Sequence, residues 1–225
     1  MVKKTLENIS RDKFFTTDKG KFRNNNPKWI GHNYWQVYDS FFENLKDEKI
    51  SFLEFGFGSS GDCLRTFAEF FENADLIAGA DYDMKFVEGI KFEDPRIQTF
   101  YVDQESIPSL EGLSQKFNNR KFDIIIDDAS HSPIPIRNTF DVFFDLVKDG
   151  GYYIIEDTYL LTEEMINGKS NIISELYLAA NEDSEWWPKR REINYKPIKK
   201  SVQYVHTCLG LTIVKKGKHT TYYGD

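Results

Sequence analysis

The sequence predicts an α/β protein with a Rossmann-like, doubly wound, mostly parallel seven-stranded sheet that ends in a C-terminal antiparallel β-hairpin. Short, almost continuously apolar segments alternate with segments whose apolar residues recur at helical spacing. This alternation is typical of βαβ units, whose parallel strands are covered on both faces. The last apolar region, 201–216, forms two adjacent strand-like runs around Leu209 and Gly210, which predicts the hairpin.

The predicted strands before the hairpin are five apolar segments, at 50–56, 75–81, 97–103, 122–128 and 152–157. Helices are predicted where apolar residues share one face, at 31–46, 61–74, 109–119, 134–149 and 163–180. Gly168 is a candidate interruption of the last of these helices. The region 181–198 is polar and contains Trp186 and Trp187, which we expect either to pack or to stack on an acceptor.

Composition excludes several classes of protein. The chain has 225 residues and a formal net charge of −7, which argues against a nucleic-acid-binding surface. Its two cysteines, Cys63 and Cys208, show no CxxC pattern, so neither a disulfide framework nor a zinc site is expected. No segment approaches the roughly 18 apolar residues of a membrane span. We therefore expect a cytoplasmic protein with no membrane or nucleic-acid partner.

A glycine-rich loop follows the first predicted strand. It reads Glu54-Phe-Gly-Phe-Gly-Ser-Ser-Gly61 and precedes a predicted helix, while Asp81 ends the next strand. Glycines let a ligand approach the backbone, and a carboxylate in the position of Asp81 can accept hydrogen bonds from ribose hydroxyls. The loop therefore predicts an adenosine-containing ligand, and a βα turn that binds nothing is the alternative. Glu54 favours S-adenosylmethionine (SAM) over NAD, because a carboxylate suits an ammonium and repels a pyrophosphate.

Two further strands end in paired carboxylates. Asp127 and Asp128 end the fourth predicted strand with His131 close behind, and Glu156 and Asp157 end the fifth. Ligands of such sheets bind beyond the carboxyl ends of the strands, where both pairs would meet. Carboxylates there could hold a divalent cation and His131 could accept a proton, or they could only cap the next segments. Asp128 is the better cation ligand of its pair, since adjacent strand residues face opposite ways.

The chain resembles the class I SAM-dependent methyltransferases and, within them, the macrocin/mycinamicin sugar O-methyltransferase family, over roughly residues 15–160. The DDASH and EDT motifs are the specific part of the resemblance, and the glycine loop is shared by all class I members. This chain has Ala129 where the family usually has glycine. The matching segments are TDKG at 17–20 with His32, Tyr34 and Tyr38, LEFGFGSSG at 53–61, GADYD at 79–83, VDQ at 102–104, FDIIIDDASH at 122–131 and DGGYYIIEDT at 149–158.

The resemblance implies a SAM pocket with Asp81 on the ribose, and Asp103 and Gln104 near the adenine. It also implies Mg²⁺ or another divalent cation on Asp128, Glu156 and Asp157, with His131 as general base. Residues 1–48 would form an N-terminal helical extension or lid, and 49–225 the methyltransferase domain. The predicted cofactor-binding residues are Glu54, Gly56, Phe57, Gly58, Ser59, Ser60, Asp81, Asp103, Gln104 and Asp127. The acceptor would be a small-molecule sugar, a nucleotide-sugar or a glycoside, and the protein a possible homo-oligomer.

Three rival functions stay open at this point. An NAD(P)-dependent oxidoreductase could use the same glycine loop, but it would give the acidic clusters no task. A non-catalytic SAM- or sugar-binding module would keep the fold without turnover, and a metal-dependent hydrolase would use the acidic cluster alone. Outside these motifs, Lys19 is a weak candidate for a lid residue, and His32 is interpreted as structural or as part of a lid rather than as a metal ligand.

Overall fold

The computed structural model describes residues 4–13, 17–21, 31–180, 198 and 200–218. The predicted irregular region, with Trp186 and Trp187, lies almost wholly outside these residues, and so does the C-terminal tail beyond residue 218.

A single seven-stranded sheet forms the centre of the described part of the chain, in the order β3-β2-β1-β4-β5-β7-β6. Strands β1 to β5 pair in parallel, whereas β7 is antiparallel to both β5 and β6. The predicted Rossmann-like sheet with its terminal antiparallel hairpin is therefore confirmed. The strands are β1 (Ser51–Phe55), β2 (Leu76–Asp81), β3 (Ile97–Tyr101), β4 (Phe122–Asp127), β5 (Val147–Ile155), β6 (Val202–Cys208) and β7 (Leu211–Lys216).

The turn of the hairpin is built by the two residues that the sequence singled out. Leu209 and Gly210 both have positive φ, 50° and 84°. Two consecutive residues of positive φ give a turn whose twist matches that of the flanking strands, which favours a tight hairpin.

Eight α-helices are described, and the longest has 11 residues. No helix among the described residues is long and apolar enough to cross a bilayer. The helices are α1 (Leu6–Lys13), α2 (Tyr34–Phe42), α3 (Asp62–Phe70), α4 (Met84–Gly89), α5 (Ile107–Lys116), α6 (Pro133–Phe143), α7 (Tyr159–Ile166) and α8 (Ile172–Ala179).

Some element boundaries differ from the prediction. The helix predicted over 134–149 ends at Phe143, because Val147 already pairs with Phe122 as the first residue of β5. The sequence analysis missed α4, a helix of only six residues in which Phe86 and Val87 pack against the core but no residue is fully buried. Gly168, at φ 74°, does interrupt the last predicted helix, which divides into α7 and α8.

The N-terminal helices pack against the sheet in an aromatic cluster. Trp35 of α2 lies edge-on to Phe67 of α3, with ring centroids 5.3 Å apart, and Phe42 lies 6.3 Å from Tyr152 of β5. Both helices contribute buried residues to the same core as β1 and β4. This packing brings the beginning of α2 close to the carboxyl ends of the central strands, where the acidic residues lie.

Candidate active site

A cavity of about 590 Å³ lies beyond the carboxyl ends of the parallel strands. It brings together glycine-loop residues and several predicted cofactor-binding residues from the ends of β2, β3 and β4. Its walls are formed by Gly56, Gly58, Ala80, Asp81, Tyr82, Val102, Asp103, Gln104, Glu105, Asp128, Ala129, Ser130 and Pro135.

Gly56 ties the glycine loop to the loop after β4. Its φ is 82°, and a Cβ atom at this position would overlap the backbone carbonyl of Asp128. The same region is held by hydrogen bonds from the Gly56 amide to the Ala80 carbonyl, 2.8 Å, and from the Asp128 amide to the Phe55 carbonyl, 2.9 Å. Only glycine tolerates both the backbone conformation and the close approach.

A second, smaller cavity of about 270 Å³ lies between the glycine loop and an N-terminal segment. The predicted residues Phe57, Ser59 and Ser60 line this cavity rather than the larger one. Thr17, Asp18 and Lys19 form the opposite wall, and Gly56, Gly58 and Asp128 line both cavities. The N-terminal segment thus contributes directly to the site.

Two of the predicted cofactor-binding carboxylates are oriented by the backbone. Asp81 accepts a hydrogen bond from the Asp83 amide, 2.9 Å, and Asp103 accepts one from the Glu105 amide, also 2.9 Å. Burial raises the pKa of Asp81 above its usual value. Both carboxylates line the large cavity, where hydroxyl or amine groups of a ligand could donate to them.

Asp127 does not line either cavity. It is buried behind Gln104, whose Nε2 donates to Asp127 Oδ1 at 2.8 Å and to Thr139 Oγ1 at 2.9 Å. Burial raises the pKa of Asp127 to about 7. The Gln104 amide oxygen is also used, since it accepts from the Ser130 amide at 3.2 Å. Asp127 therefore reaches the cavity only through the side chain of Gln104.

Three acidic side chains converge on Lys19, and we call Lys19, Glu54, Asp128 and Glu156 the inner cluster. The Lys19 ammonium lies 2.7 Å from Glu156 Oε1 and 3.3 Å from Glu54 Oε1, and it also donates to Asp128 Oδ2. Burial alone would lower the pKa of Lys19, but these carboxylates raise it well above its usual value. Tyr38 donates a further hydrogen bond to Glu156 Oε1, at 2.6 Å.

Within the inner cluster, Glu54 is fully buried. Its Oε1 accepts from the thiol of Cys63 at 3.1 Å, while its Oε2 has no hydrogen-bond partner among the described residues. Burial raises the pKa of Glu54 to about 7. The inner cluster thus places three carboxyl groups around one ammonium.

A second group of side chains, the outer cluster, consists of Asp128, His131 and Asp157. His131 Nε2 lies 4.0 Å from Asp128 Oδ1 and 3.9 Å from Asp157 Oδ2, and all three side chains are partly exposed. His131 and Asp157 both have positive φ, 54° and 52°. Such backbone conformations are uncommon outside glycine, and they are concentrated at functional sites.

The first residue of α2 and a histidine just before the helix hold Asp157 in place. Tyr34 donates to Asp157 Oδ1 at 2.5 Å, and His32 Nδ1 lies 3.1 Å from the same oxygen. Burial alone would raise the pKa of Asp157, but the hydrogen bonds from His32 and Tyr34 lower it to about 2. Asp157 is thus held as a carboxylate.

The structure divides the predicted metal ligands between the two clusters. Asp128 and Asp157 share the outer cluster with His131, and Asp128 also belongs to the inner cluster with Glu156. Asp128 and Asp157 offer partly exposed carboxylate oxygens, which are the donors that Mg²⁺ prefers, so they fit such an ion. The Glu156 carboxylate is instead taken up by Lys19 and Tyr38.

Sequence reasoning did not foresee the contacts made by Lys19, Tyr34 and Tyr38. The signal was present, because Tyr34 and Tyr38 are four residues apart and therefore share one face of a helix. Periodicity by itself predicts only a helix there, whereas both hydroxyls reach carboxylates at the ends of the strands.

No family model matches this chain. Among curated proteins, demethylmacrocin O-methyltransferase of Streptomyces fradiae is 35% identical over 141 residues, which cover 59% of this chain and 34% of that protein. The 8-demethyl-8-alpha-L-rhamnosyl tetracenomycin-C 2'-O-methyltransferase of Streptomyces olivaceus is 28% identical over 141 residues, covering 60% and 35%. The matched segment thus spans about a third of the length of these relatives.

Among solved structures, the MycE methyltransferase from the mycinamycin biosynthetic pathway, in complex with Mg and SAH, superposes with a TM-score of 0.71. It is 24% identical and is matched over 95% of this chain and 55% of its own. These findings confirm the predicted methyltransferase fold and the resemblance of this chain to sugar O-methyltransferases.

Proposed function

We propose that this chain carries the methyl-transfer site of a SAM-dependent O-methyltransferase that acts on a hydroxyl of a sugar or glycosylated small molecule, with help from Mg²⁺ or another divalent cation. The observation that carries the proposal is the position of Asp128. It lines both cavities and also faces His131 and Asp157, so one residue joins the cofactor pocket to the candidate catalytic groups. The names of the curated relatives support the reaction and the acceptor class.

The large cavity would hold the adenosyl part of SAM. Asp81 would accept hydrogen bonds from the ribose hydroxyls, and Asp103 with Gln104 would lie beside the adenine. Gly56 and Gly58 leave the backbone open to the ligand. The smaller cavity, between Ser59 and Thr17, would hold the amino-acid end. Glu54 and Asp127 line neither cavity, so they would support the pocket from behind, and the direct contact between Glu54 and the cofactor ammonium that the sequence predicted is replaced by its contact with Lys19.

His131 would act as the general base. Methyl transfer breaks the bond between sulfur and the methyl carbon and forms a bond from the acceptor oxygen to that carbon, leaving S-adenosylhomocysteine (SAH). The acceptor oxygen must lose its proton, and the His131 imidazole would take it. The carboxylates of Asp128 and Asp157, about 4 Å from Nε2, would stabilise the imidazolium that results.

Asp128 and Asp157 would hold the divalent cation, and Glu156, the third predicted ligand, would instead hold Lys19 beside them. When bound, such a cation lowers the pKa of an acceptor hydroxyl and fixes its direction. His32 and Tyr34 keep Asp157 oriented toward the outer cluster. We further propose that residues 1–48 form a helical extension or lid on a methyltransferase domain of residues 49–225, and that the protein acts in the cytoplasm as a homo-oligomer.

Calorimetric titration of the cofactor-stripped chain with SAH, and in parallel with NAD⁺, tests this proposal. We expect SAH to bind and NAD⁺ not to bind, and Mg²⁺ to bind at a separate site. Binding of NAD⁺ alone would favour an oxidoreductase, and binding of Mg²⁺ alone would favour a hydrolase. If SAH binds but no methyl group reaches any glycoside or nucleotide-sugar acceptor, the chain is a binding module instead.

A further inference from the structure

The two carboxylate oxygens of Asp128 face different groups. Oδ2 accepts from the buried Lys19 ammonium, whereas Oδ1 lies toward His131 in the outer cluster. One side chain therefore belongs to two neighbouring positions that could each hold a positive charge. The inner position is bounded by Glu54, Asp128 and Glu156, and the outer one by Asp128, His131 and Asp157.

We propose that Lys19 is a positioning residue whose ammonium permanently fills the inner position, so that the chain binds a single divalent cation, at the outer position. The second half of this statement rests on the proposed function, since it assumes a cation at the outer cluster. The first half concerns only the folded chain. Lys19 is then part of the site rather than a surface residue of a lid.

The chemistry of an ammonium group matches the inner position. Lysine has three N–H donors and no acceptor, and three carboxylates surround this one. The Lys19 side chain is 2% exposed, Glu54 is 0% exposed and Glu156 is 1% exposed, so water cannot compensate their charges. Buried charges persist in proteins only when they are paired and hydrogen-bonded.

Backbone hydrogen bonds fix the segment around Lys19 to the beginning of α2. The Lys19 carbonyl accepts from the Trp35 amide at 3.1 Å, and the Asp18 carbonyl accepts from the His32 amide at 2.8 Å. The segment that forms one wall of the smaller cavity is thus bonded to the segment that holds Asp157. Fixing Oδ2 of Asp128 leaves Oδ1 free for the outer position, which is the positioning effect that we infer.

Thermal unfolding of Lys19→Met, with and without Mn²⁺ as the probe, tests the proposal. Without metal, the loss of the ammonium leaves the buried Glu54 and Glu156 and the partly exposed Asp128 without a cationic partner, and we expect the unfolding midpoint to fall by roughly 6–20 °C. Mn²⁺ should then recover most of this loss, because it can take the vacated inner position. Electron paramagnetic resonance of free Mn²⁺ should show one ion bound per wild-type chain and two per Lys19→Met chain.

Lys13→Met is the matched control. Lys13 lies in α1 of the same N-terminal region and pairs with Glu69 at 2.7 Å, but both side chains are partly exposed. Its midpoint should fall by less than about 4 °C, and its Mn²⁺ stoichiometry should stay that of the wild type. Lys19→Arg, which keeps the charge, should lie between the wild type and Lys19→Met in stability.

The proposal is overturned if metal-free Lys19→Met melts close to the wild type, or if Mn²⁺ stabilises both proteins equally with one ion each. Should Lys19→Met fail to fold, the double variant Lys19→Met/Glu54→Gln removes one carboxylate together with the ammonium. It must be more stable than Lys19→Met, and equal or lower stability refutes the counter-ion role. Failure of the wild type to bind SAH and Mn²⁺ would instead remove the proposed function, while the metal-free comparison would still decide the role of Lys19.

Discussion

Lys19 Nζ lies 2.7 Å from Glu156 Oε1, although the two residues are 137 positions apart in the sequence. The contact joins the N-terminal segment to the end of the fifth strand. Because both side chains are almost completely buried, the contact forms only when the segment around Lys19 packs against the sheet. The candidate active site is therefore assembled from the N-terminal segment and the carboxyl ends of the parallel strands, and the following predictions concern its separate parts.

Replacement of His131 by glutamine should abolish most methyl transfer without weakening cofactor binding. The imidazole would accept the proton of the acceptor hydroxyl, and loss of a general base typically lowers the rate by about 10²- to 10⁴-fold. The measurements are kcat with a glycoside acceptor and the Kd for SAH. His206→Gln is the control, because His206 lies exposed on β6 against the Phe41 ring. Full activity of His131→Gln would rule out this role.

Asparagine at Asp128 should weaken cation binding and asparagine at Asp127 should not, although the two residues are adjacent. Asp128 faces Lys19 and His131, so Asp128→Asn should weaken Mn²⁺ binding by more than about tenfold. Asp127 faces Gln104 and Tyr153 on the other side, so Asp127→Asn should leave Mn²⁺ affinity unchanged. Titration of each variant with Mn²⁺ distinguishes them. Equal effects of the two substitutions would contradict the assignment of Asp128 to the cation.

Asparagine at Asp81 should weaken SAH binding by about 10- to 150-fold, since hydrogen bonds to a charged group are each worth about 1.5–3 kcal/mol. The unfolding midpoint should change little, because asparagine can still accept from the Asp83 amide. Asp83→Asn is the matched control. Asp83 is the N-cap of α4, a position that asparagine fills equally well, and it does not line the cavity. Unchanged SAH affinity in Asp81→Asn would place the ribose elsewhere.

Alanine at Gly56 should destabilise the protein by at least about 2 kcal/mol, through its positive φ and through overlap with the Asp128 carbonyl. Displacement of Asp128 should also weaken both SAH and Mn²⁺ binding. Gly112→Ala is the control, since Gly112 lies in α5 with free space around it. That substitution should stabilise the chain by about 0.5–1 kcal/mol, as chemical denaturation would show. If the two variants were equally stable, the glycine loop and the loop after β4 would have to move apart at no cost in free energy, which would contradict the prediction.

The fold was predictable because its signals are local. Each parallel strand is a short apolar segment, and Leu209 with Gly210 supplies the residues that a tight hairpin needs. The period of two along a strand also separates Asp127 from Asp128 without any knowledge of the neighbours. The predicted parallel topology alone places three features together at the carboxyl ends of the strands, namely the glycine loop, Asp81 and Asp103.

The sequence by itself therefore determined the sheet, the hairpin and the group of acidic residues at the ends of the strands. Only the tertiary structure decided how those acidic residues are shared between an internal ammonium and an open outer position. That decision depends on the packing of Lys19, Tyr34 and Tyr38 against residues more than 100 positions away. Neither periodicity nor motif spacing encodes such a contact, because the partner groups meet and lose their water together only once the chain has folded.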